Sequence, residues 1–315
     1  MSGAIHVIRP GLLTSVQDSG RWGHQASGVP VAGPMDSFSH RLANLLVGNS
    51  VGDASLEITL IGPELEFDAP AMVAVCGADF DMTVNGQPMT VGASVGLDAG
   101  SRVLFGRRRA GARAYLAVAG GIQTTPVLGS RATHLVSGMG GYRGRSLAAG
   151  DRLPIISAFR RAPGHRAAGL TLPVQGRARL RILPGLQADW YSSSAMSTLT
   201  TMCFRISPRS NRMGYRLEGP PLVRTRESEP ISEPVAFGAI QVPAGGEPIL
   251  LMADRQTAGG YPKIASVISA DLPIAGQLAP GDVIDFALCS RQEAAAALIA
   301  RERPLLRVRD ATQSA

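Results

Sequence analysis

Short apolar runs broken by turn signals set the pattern of this chain. Glu64-Leu65-Glu66-Phe67 alternates polar and apolar positions, as a strand with one buried face requires, and Met72-Val73-Ala74-Val75 and Arg102-Val103-Leu104-Phe105 are apolar runs of strand length. Asn85-Gly86 supplies the left-handed pair that closes a tight hairpin. Residues 4–16 read as an extended strand leading into a polar, glycine-rich loop, Gln17 to Gly23, that is too long to be mere connection. Further strands are predicted at Leu180-Arg181-Ile182-Leu183 and near 202–206, 235–242, 248–253, 264–269 and 283–288. A related phrase occurs three times, at Asp98-Ala99-Gly100-Ser101-Arg102, Ala148-Ala149-Gly150-Asp151-Arg152 and Ala279-Pro280-Gly281-Asp282-Val283. Each reads as a tight turn entering a sheet and hints weakly at duplicated β units.

Helical periodicity is confined to a few places. Phe38, Leu42, Leu45 and Leu46 share one face of a helix that Asp36 or Ser37 caps and Gly48 stops. A second helix is predicted near Ala188–Leu199, and a third from Ser290, where Ser290 and Glu293 have capping-box spacing. Residues 158–178 are rich in Arg, Ala, Pro and Gly without periodicity and read as a linker. The organisation expected is an N-terminal β domain over 1–157, the linker over 158–178, and a C-terminal β domain over 179–315 that ends in a helix.

Composition agrees with a β-rich chain that has proper cores. Hydrophobic residues make up 45% of the 315 positions and charged residues 17%, so burial can offset chain entropy, while 37 glycines and 22 prolines mean many turns. The net charge of +7 is compatible with an anionic partner. Only Arg107-Arg108-Arg109 forms a basic run, read as a solvated hairpin end, and aromatics are 5%, which argues against nucleic acid. Cys76, Cys203 and Cys289 form no CxxC pattern; they fit a reducing cytoplasm and are expected to be small buried hydrophobes. No apolar stretch of about 18 residues exists for a membrane span.

Motifs for familiar chemistries are missing. There is no GxxxxGK[ST] phosphate loop, HExxH, GxSxG or strand-to-helix GxGxxG, and the five histidines show no ligand spacing, so no metal site is expected. What remains is a set of polar loops framed by glycine: Thr14–Arg21, Gly120-Gly121-Ile122, Ser207–Arg216 and Asp254–Lys263. Lys263 stands out because the other 30 basic residues are all arginine. A compact ammonium differs from a planar guanidinium in its donors and its titration. Each loop combines donors with backbone freedom, which an anionic or amide-bearing ligand needs; each is equally readable as a hydrogen-bonded network holding β domains together.

Taken together these phrases resemble one family. Gly11 to Arg21, Gly28-Val29-Pro30 to Asp36, Ala43 to Asn49, Tyr115 to Ile122, Ser210 to Leu217 and Asp254 to Pro262 look like the C subunit of the bacterial ATP-dependent 5-oxoprolinase, also called KipA, which is related to part of the carboxyltransferase domain of urea carboxylase. The resemblance runs from about residue 5 to about 288. It implies a mainly β fold of two cyclophilin-like β-barrel domains with a few peripheral helices. It further implies a hydrolase subunit that works with two partners, one KipI-like and one of lactam-hydrolase type. In that assembly ATP, bound together with a partner, drives opening of 5-oxo-L-proline to glutamate. On this resemblance Lys263, Arg212 and Arg21 supply cationic contacts, Gln17, Asn211, Gln256 and Tyr261 contact substrate, and Asp18 or Asp254 orients groups or relays a proton. Ala258 stands where the family pattern has threonine, so that hydroxyl is dispensable here. Two other functions fit the same family: carboxyl transfer to urea or a similar amide, with biotin carried on another protein, and antagonism of a KipI-like kinase inhibitor.

Overall fold

The computed structural model describes residues 2–156, 176–226 and 228–313; most of the linker expected at 158–178 lies outside them, and Arg177 already belongs to a strand. The chain forms two compact units. One takes in Met1–Arg21, Ala32–Pro173 and Glu302–Ala315, the other Trp22–Val31 and Val174–Arg301.

The first unit is a nine-stranded sheet built on two long strands, Ala71–Val84 and Ser101–Val118, which pair antiparallel from Val73↔Val118 to Val84↔Val103. Period-two alternation gives this ribbon two apolar faces. Val73, Val75, Leu116 and Val118 point into a core with Ile5, Leu56, Leu65 and Phe67. Their neighbours Met72, Ala74, Cys76, Tyr115 and Ala117 point the other way and pack against Phe38, Leu42, Leu45 and Leu46 of the helix Ser37–Leu46. Asp36 caps that helix, accepting the Ser39 amide at 2.9 Å, and Gly48 follows it in left-handed conformation. Beneath it Glu57, 1% exposed, accepts the Tyr115 hydroxyl at 2.7 Å and the Met35 amide at 2.8 Å. Burial, reinforced by the Glu57 charge, pushes the Tyr115 phenol well above its ordinary value.

The second unit is a closed barrel. Its strands run in the order Arg177–Pro184, Lys263–Val267, Ala239–Gln241, Ile249–Leu251, Gly214–Glu218, Cys203–Ile206, Val283–Leu288, and the last pairs parallel with the first, Arg177↔Val283 to Ile182↔Leu288. Leu180, Ile182, Phe204, Ile206, Leu217, Ile240, Leu250, Ile264 and Phe286 are buried within it. The mainly β fold read from the sequence is thus realised as one closed barrel and one curled open sheet, with helices at the periphery.

Local expectations hold in most places and fail in a few. The extended stretch at 4–16 is two strands, Ser2–Arg9 and Leu13–Gln17, because Pro10 and left-handed Gly11 bend the chain between them. The helix near Ala188–Leu199 is a single 3-10 turn, Ala188–Trp190, then Ser193–Thr201 capped by Ser192. Arg107 to Arg109 lie inside the strand Ser101–Val118 rather than at a hairpin end, in its exposed stretch, where the register shifts. Of the cysteines only Cys76 is buried; Cys203 is exposed because it takes an outward position in the alternation of its strand, and Cys289 is half-buried. The capping box at the last helix is present: Ser290 Oγ accepts the Glu293 amide at 3.1 Å, and Glu293 accepts the Ser290 amide at 2.7 Å.

The thrice-repeated phrase is one turn built three times. Gly100, Gly150 and Gly281 are left-handed, and each donates its amide to a neighbouring strand, at Phe67, Val7 and Ile206. The following residue, Ser101, Asp151 or Asp282, donates back to Asp98, Ala148 or Ala279. A Cβ on Gly281 would meet no atom within 4 Å, so only backbone conformation forbids a side chain there. Gly281→Ala is therefore expected to cost about 1 kcal/mol, read as a shift of the urea midpoint at unchanged slope. A neutral result would remove the conformational argument.

Candidate functional site

The loop 207–213 joins the strands Cys203–Ile206 and Gly214–Glu218, and its own polar side chains hold it. Ser210 Oγ accepts the Arg216 amide at 3.0 Å, and Asn211 Oδ1 accepts the Met213 amide at 2.8 Å. A second loop, after Ile249–Leu251, is fastened to the first: Met252 and Asp254 donate their amides to Met213 and Arg212 at 2.9 and 2.8 Å. Arg212 and Asp254 complete the joint. The guanidinium grips the carboxylate through Nε and one terminal nitrogen, both at 2.9 Å, and the two side chains are 5% and 2% exposed. Arg212 was expected as a cationic contact and Asp254 as an orienting or proton-relaying group, and the structure pairs the two with each other.

That joint positions a small pocket of about 210 Å³ on the barrel wall. Met213, Ile249 and Leu251 give it apolar surface, and Asn211, Gln241 and Gln256 bring three carboxamides. Arg209, Arg216 and Tyr261, all exposed, complete the lining. Among the described residues no carboxylate pairs with the Arg209 or Arg216 guanidinium. Two of the carboxamides are loosely engaged: Gln256 Nε2 reaches Gln241 Oε1 at 3.3 Å, and Gln241 Nε2 reaches the Tyr261 carbonyl at 3.4 Å. Bonds this long are readily exchanged for better ones to a ligand. Such a pocket can take a small molecule that joins a carboxylate to an amide.

Lys263 faces a different partner. Its ammonium, on a side chain 7% exposed, lies 2.5 Å from Glu233 Oε1, and Gln187 bridges the two by donating to Glu233 at 2.8 Å and accepting the Lys263 amide at 3.1 Å. The ammonium holds the Glu233 carboxyl below its ordinary 4.5 against the opposing pull of burial. Because the folded value is depressed, the stabilisation is fully present above pH 4.5 and is lost as pH falls below that and through the lower folded value. Lys263→Met is expected to be less stable than the parent at pH 6, with the gap narrowing towards pH 3 in urea titrations. An equal gap at both pH values would mean that the pair contributes nothing.

Gln17, Asp18 and Arg21 belong to the first unit, where they peg the segment 127–133. Gln17 Nε2 donates to Ser15 Oγ and the Thr133 carbonyl at 3.0 and 3.1 Å. Asp18 accepts from the Gly20 amide, Ser130 Oγ and the Arg131 amide at 2.9, 2.6 and 2.5 Å. Arg21, 1% exposed, donates to the carbonyls of Val127 and Ala132 at 2.8 and 3.0 Å. Burial pulls its guanidinium below the usual arginine value, against the attraction of Asp18.

Of the residues singled out in the sequence, the structure gathers Asn211, Gln256 and Tyr261 in one pocket; it places Arg212 with Asp254, Lys263 with Glu233, and Gln17, Asp18 and Arg21 in the other unit. Arg209, Arg216 and Gln241 were not singled out. Gln241 carried a signal, since it interrupts the apolar run Ala239-Ile240-Gln241-Val242 and proves 1% exposed. No cluster of three His, Cys, Asp or Glu fit to hold a metal occurs among the described residues, and none of their helices is long and apolar enough to cross a membrane.

The second unit is thus a closed β-barrel whose wall carries a pocket lined by carboxamides and guanidiniums. The chain belongs to the family described as carboxyltransferase domain, subdomain A and B, whose profile matches residues 27–288. It is 41% identical to the C subunit of 5-oxoprolinase from Escherichia coli (strain K12) over 290 residues, which are 92% of this chain and 93% of that protein. It is 33% identical to the urea amidolyase of Saccharomyces cerevisiae over 302 residues, covering 90% of this chain and 16% of that one. Among solved structures, the K. lactis urea amidolyase superposes with a TM-score of 0.89 at 33% identity over 97% of this chain, which spans 20% of that larger chain.

Proposed function

We propose that this chain is a subunit of an ATP-dependent 5-oxoprolinase and that the pocket of its second unit receives 5-oxo-L-proline. The observation that carries the reading is the pair Arg209 and Arg216, which flank a cavity of about 210 Å³ without a carboxylate partner among the described residues. A five-membered lactam bearing one carboxylate matches that volume and that charge. The guanidiniums take the carboxylate, where planar, fixed N–H forks suit its two oxygens. Asn211, Gln241 and Gln256 take the lactam N–H and C=O. Similarity to the C subunit of 5-oxoprolinase along nearly the whole of both chains supports the assignment.

The lactam is stable, and ATP makes its opening favourable: the γ-phosphoryl group passes to the amide oxygen as ADP leaves, water adds to the amide carbon and the ring C–N bond breaks to give an acyl phosphate, and a second water hydrolyses this to glutamate and phosphate. Donors held on the amide oxygen favour the charge that shifts there. A pocket of this size does not enclose a nucleotide as well, so ATP, bound together with a partner subunit, presents its γ-phosphate at the pocket mouth. The partners are one KipI-like and one lactam-hydrolase subunit. Lys263 and the Arg212–Asp254 pair act as positioning groups that hold the loops, and Asp18 and Arg21 do the same in the first unit.

The test is ATP-dependent glutamate release from 5-oxoproline by this chain reconstituted with both partners. Absence of turnover from an intact assembly overturns the reading. A second reading, carboxyl transfer to urea or a similar amide from biotin on another protein, draws on the urea amidolyase relatives and on the description of the family. Biotin-dependent carboxylation of urea by the same chain, without lactam opening, would select it.

A further inference from the structure

The first unit holds a larger cavity, about 480 Å³, between the segments 123–127 and 138–144. The close packing of the second segment on its surroundings keeps side chains off part of the wall: a Cβ on Gly140 would collide with the Ala132 carbonyl oxygen, and one on Gly144 would collide with that of Gly138. Those glycines by themselves say nothing of a ligand. Three other observations do.

Thr124 lines the cavity, is 5% exposed, and its buried hydroxyl has no hydrogen-bond partner among the described residues. Buried polar groups left so are rare and ask for an explanation. Arg143, also in the lining, holds left-handed backbone at φ 58°, a conformation a non-glycine residue rarely adopts and one that gathers at functional sites. Its guanidinium lies 5.3 Å from the centre of the Tyr142 ring, and no carboxylate pairs with it among the described residues. Thirdly, Arg21 donates through Nε to the carbonyl of Val127, a lining residue, while one of its terminal nitrogens is buried without a partner among the described residues.

The charges around the cavity are lopsided. Arg143 lines the cavity, Arg21 and Arg131 donate to the carbonyls of the lining residues Val127 and Thr124, and Arg145 follows two residues after Arg143; the acids that act on these arginines include Asp18 and Asp151, and both are already engaged. Asp18 accepts from Gly20, Ser130 and Arg131; Asp151 takes two bonds from Arg145, both at 2.7 Å, and the Ala148 amide. Hydroxyls, a guanidinium in no ion pair among the described residues and a positive surround make a site for an oxyanion rather than for a cation or an amine.

We propose that this cavity binds the phosphate group of a small molecule, held by the Arg143 guanidinium and the Thr124 and Thr125 hydroxyls. A phosphate presents more acceptor oxygens than a carboxylate and so matches several converging donors. This site shares no residue with the second unit's pocket, and the proposal stands whether or not that pocket opens a lactam.

Isothermal titration of the full chain with inorganic pyrophosphate, orthophosphate and ATP tests it. Saturable binding of pyrophosphate is expected, weakened by added salt. Arg143→Gly is expected to lower the affinity at least tenfold with Tm unchanged or raised, because glycine accepts the left-handed backbone. Thr124→Val is expected to lower it severalfold, and Arg216→Ala, in the other pocket, to leave it unchanged. ATP binding at least as tightly as pyrophosphate supports the site and identifies a nucleotide; orthophosphate matching pyrophosphate supports it and identifies a monophosphate ligand. No saturable heat with any of the three at millimolar concentration overturns the proposal. So does an Arg143→Gly chain that binds pyrophosphate as the parent does.

Discussion

Asp254→Ala is expected to destabilise the second unit by about 3–5 kcal/mol, because it takes two charge-assisted bonds from a buried guanidinium. The carboxylate is 2% exposed and takes two bonds from a guanidinium that is itself 5% exposed, so water cannot replace it cheaply. Arg212→Ala is expected to cost a similar amount by the converse argument. The double replacement Arg212→Met with Asp254→Leu should cost far less than the sum, since it removes both members of the pair together. Urea denaturation of the four chains at pH 7 gives the cycle. A single-replacement cost below about 1 kcal/mol would mean that water reaches the pair and that the joint between loops 207–213 and 252–257 is held by backbone bonds alone.

Arg216→Ala is expected to raise the KM for 5-oxoproline about 10- to 100-fold in the reconstituted assembly. That range corresponds to losing one charged hydrogen-bonding partner, about 1.5–3 kcal/mol. Arg216 lies on the strand Gly214–Glu218 opposite Ile249, so its base is held by the barrel ladder and its removal should not disturb the fold. The diagnostic measurement uses 2-pyrrolidinone, the same ring without the carboxylate. Parent and variant should bind it alike, while only the parent should gain affinity from the carboxylate of 5-oxoproline. Equal loss for both ligands would make Arg216 a structural residue; no loss for either would remove it from the site.

How much of this was legible beforehand depends on how local each cause is. The helix Ser37–Leu46, its Asp36 cap, the Asn85-Gly86 hairpin, the Ser290 capping box and the repeated glycine turn are all settled within a few residues. The sequence signals for them were correspondingly clear. The inward and outward faces of Ala71–Val84 also follow from alternation alone, although a continuous apolar run hides the fact that both faces are covered. Partnerships between distant charges are another matter. Lys263 and Glu233 are 30 residues apart, and Arg212 and Asp254 are 42 apart. Nothing in the neighbourhood of either cation announces which acid it will meet.

Periodicity, turn chemistry and motif, all written along the chain, were enough to specify a mainly β protein and its membership of one family across most of its length. They also reached three of the residues in the pocket, Asn211, Gln256 and Tyr261. Folding alone settled which charges remain available. It spent Lys263, Arg212, Asp254 and Asp18 on holding loops, and it left Arg209, Arg216 and Arg143 facing cavities without a carboxylate partner among the described residues. Whether a charge binds a ligand or braces a fold is set by which opposite charge the folded chain brings within about 3 Å of it, and strand register and loop packing, not residue type, fix that distance.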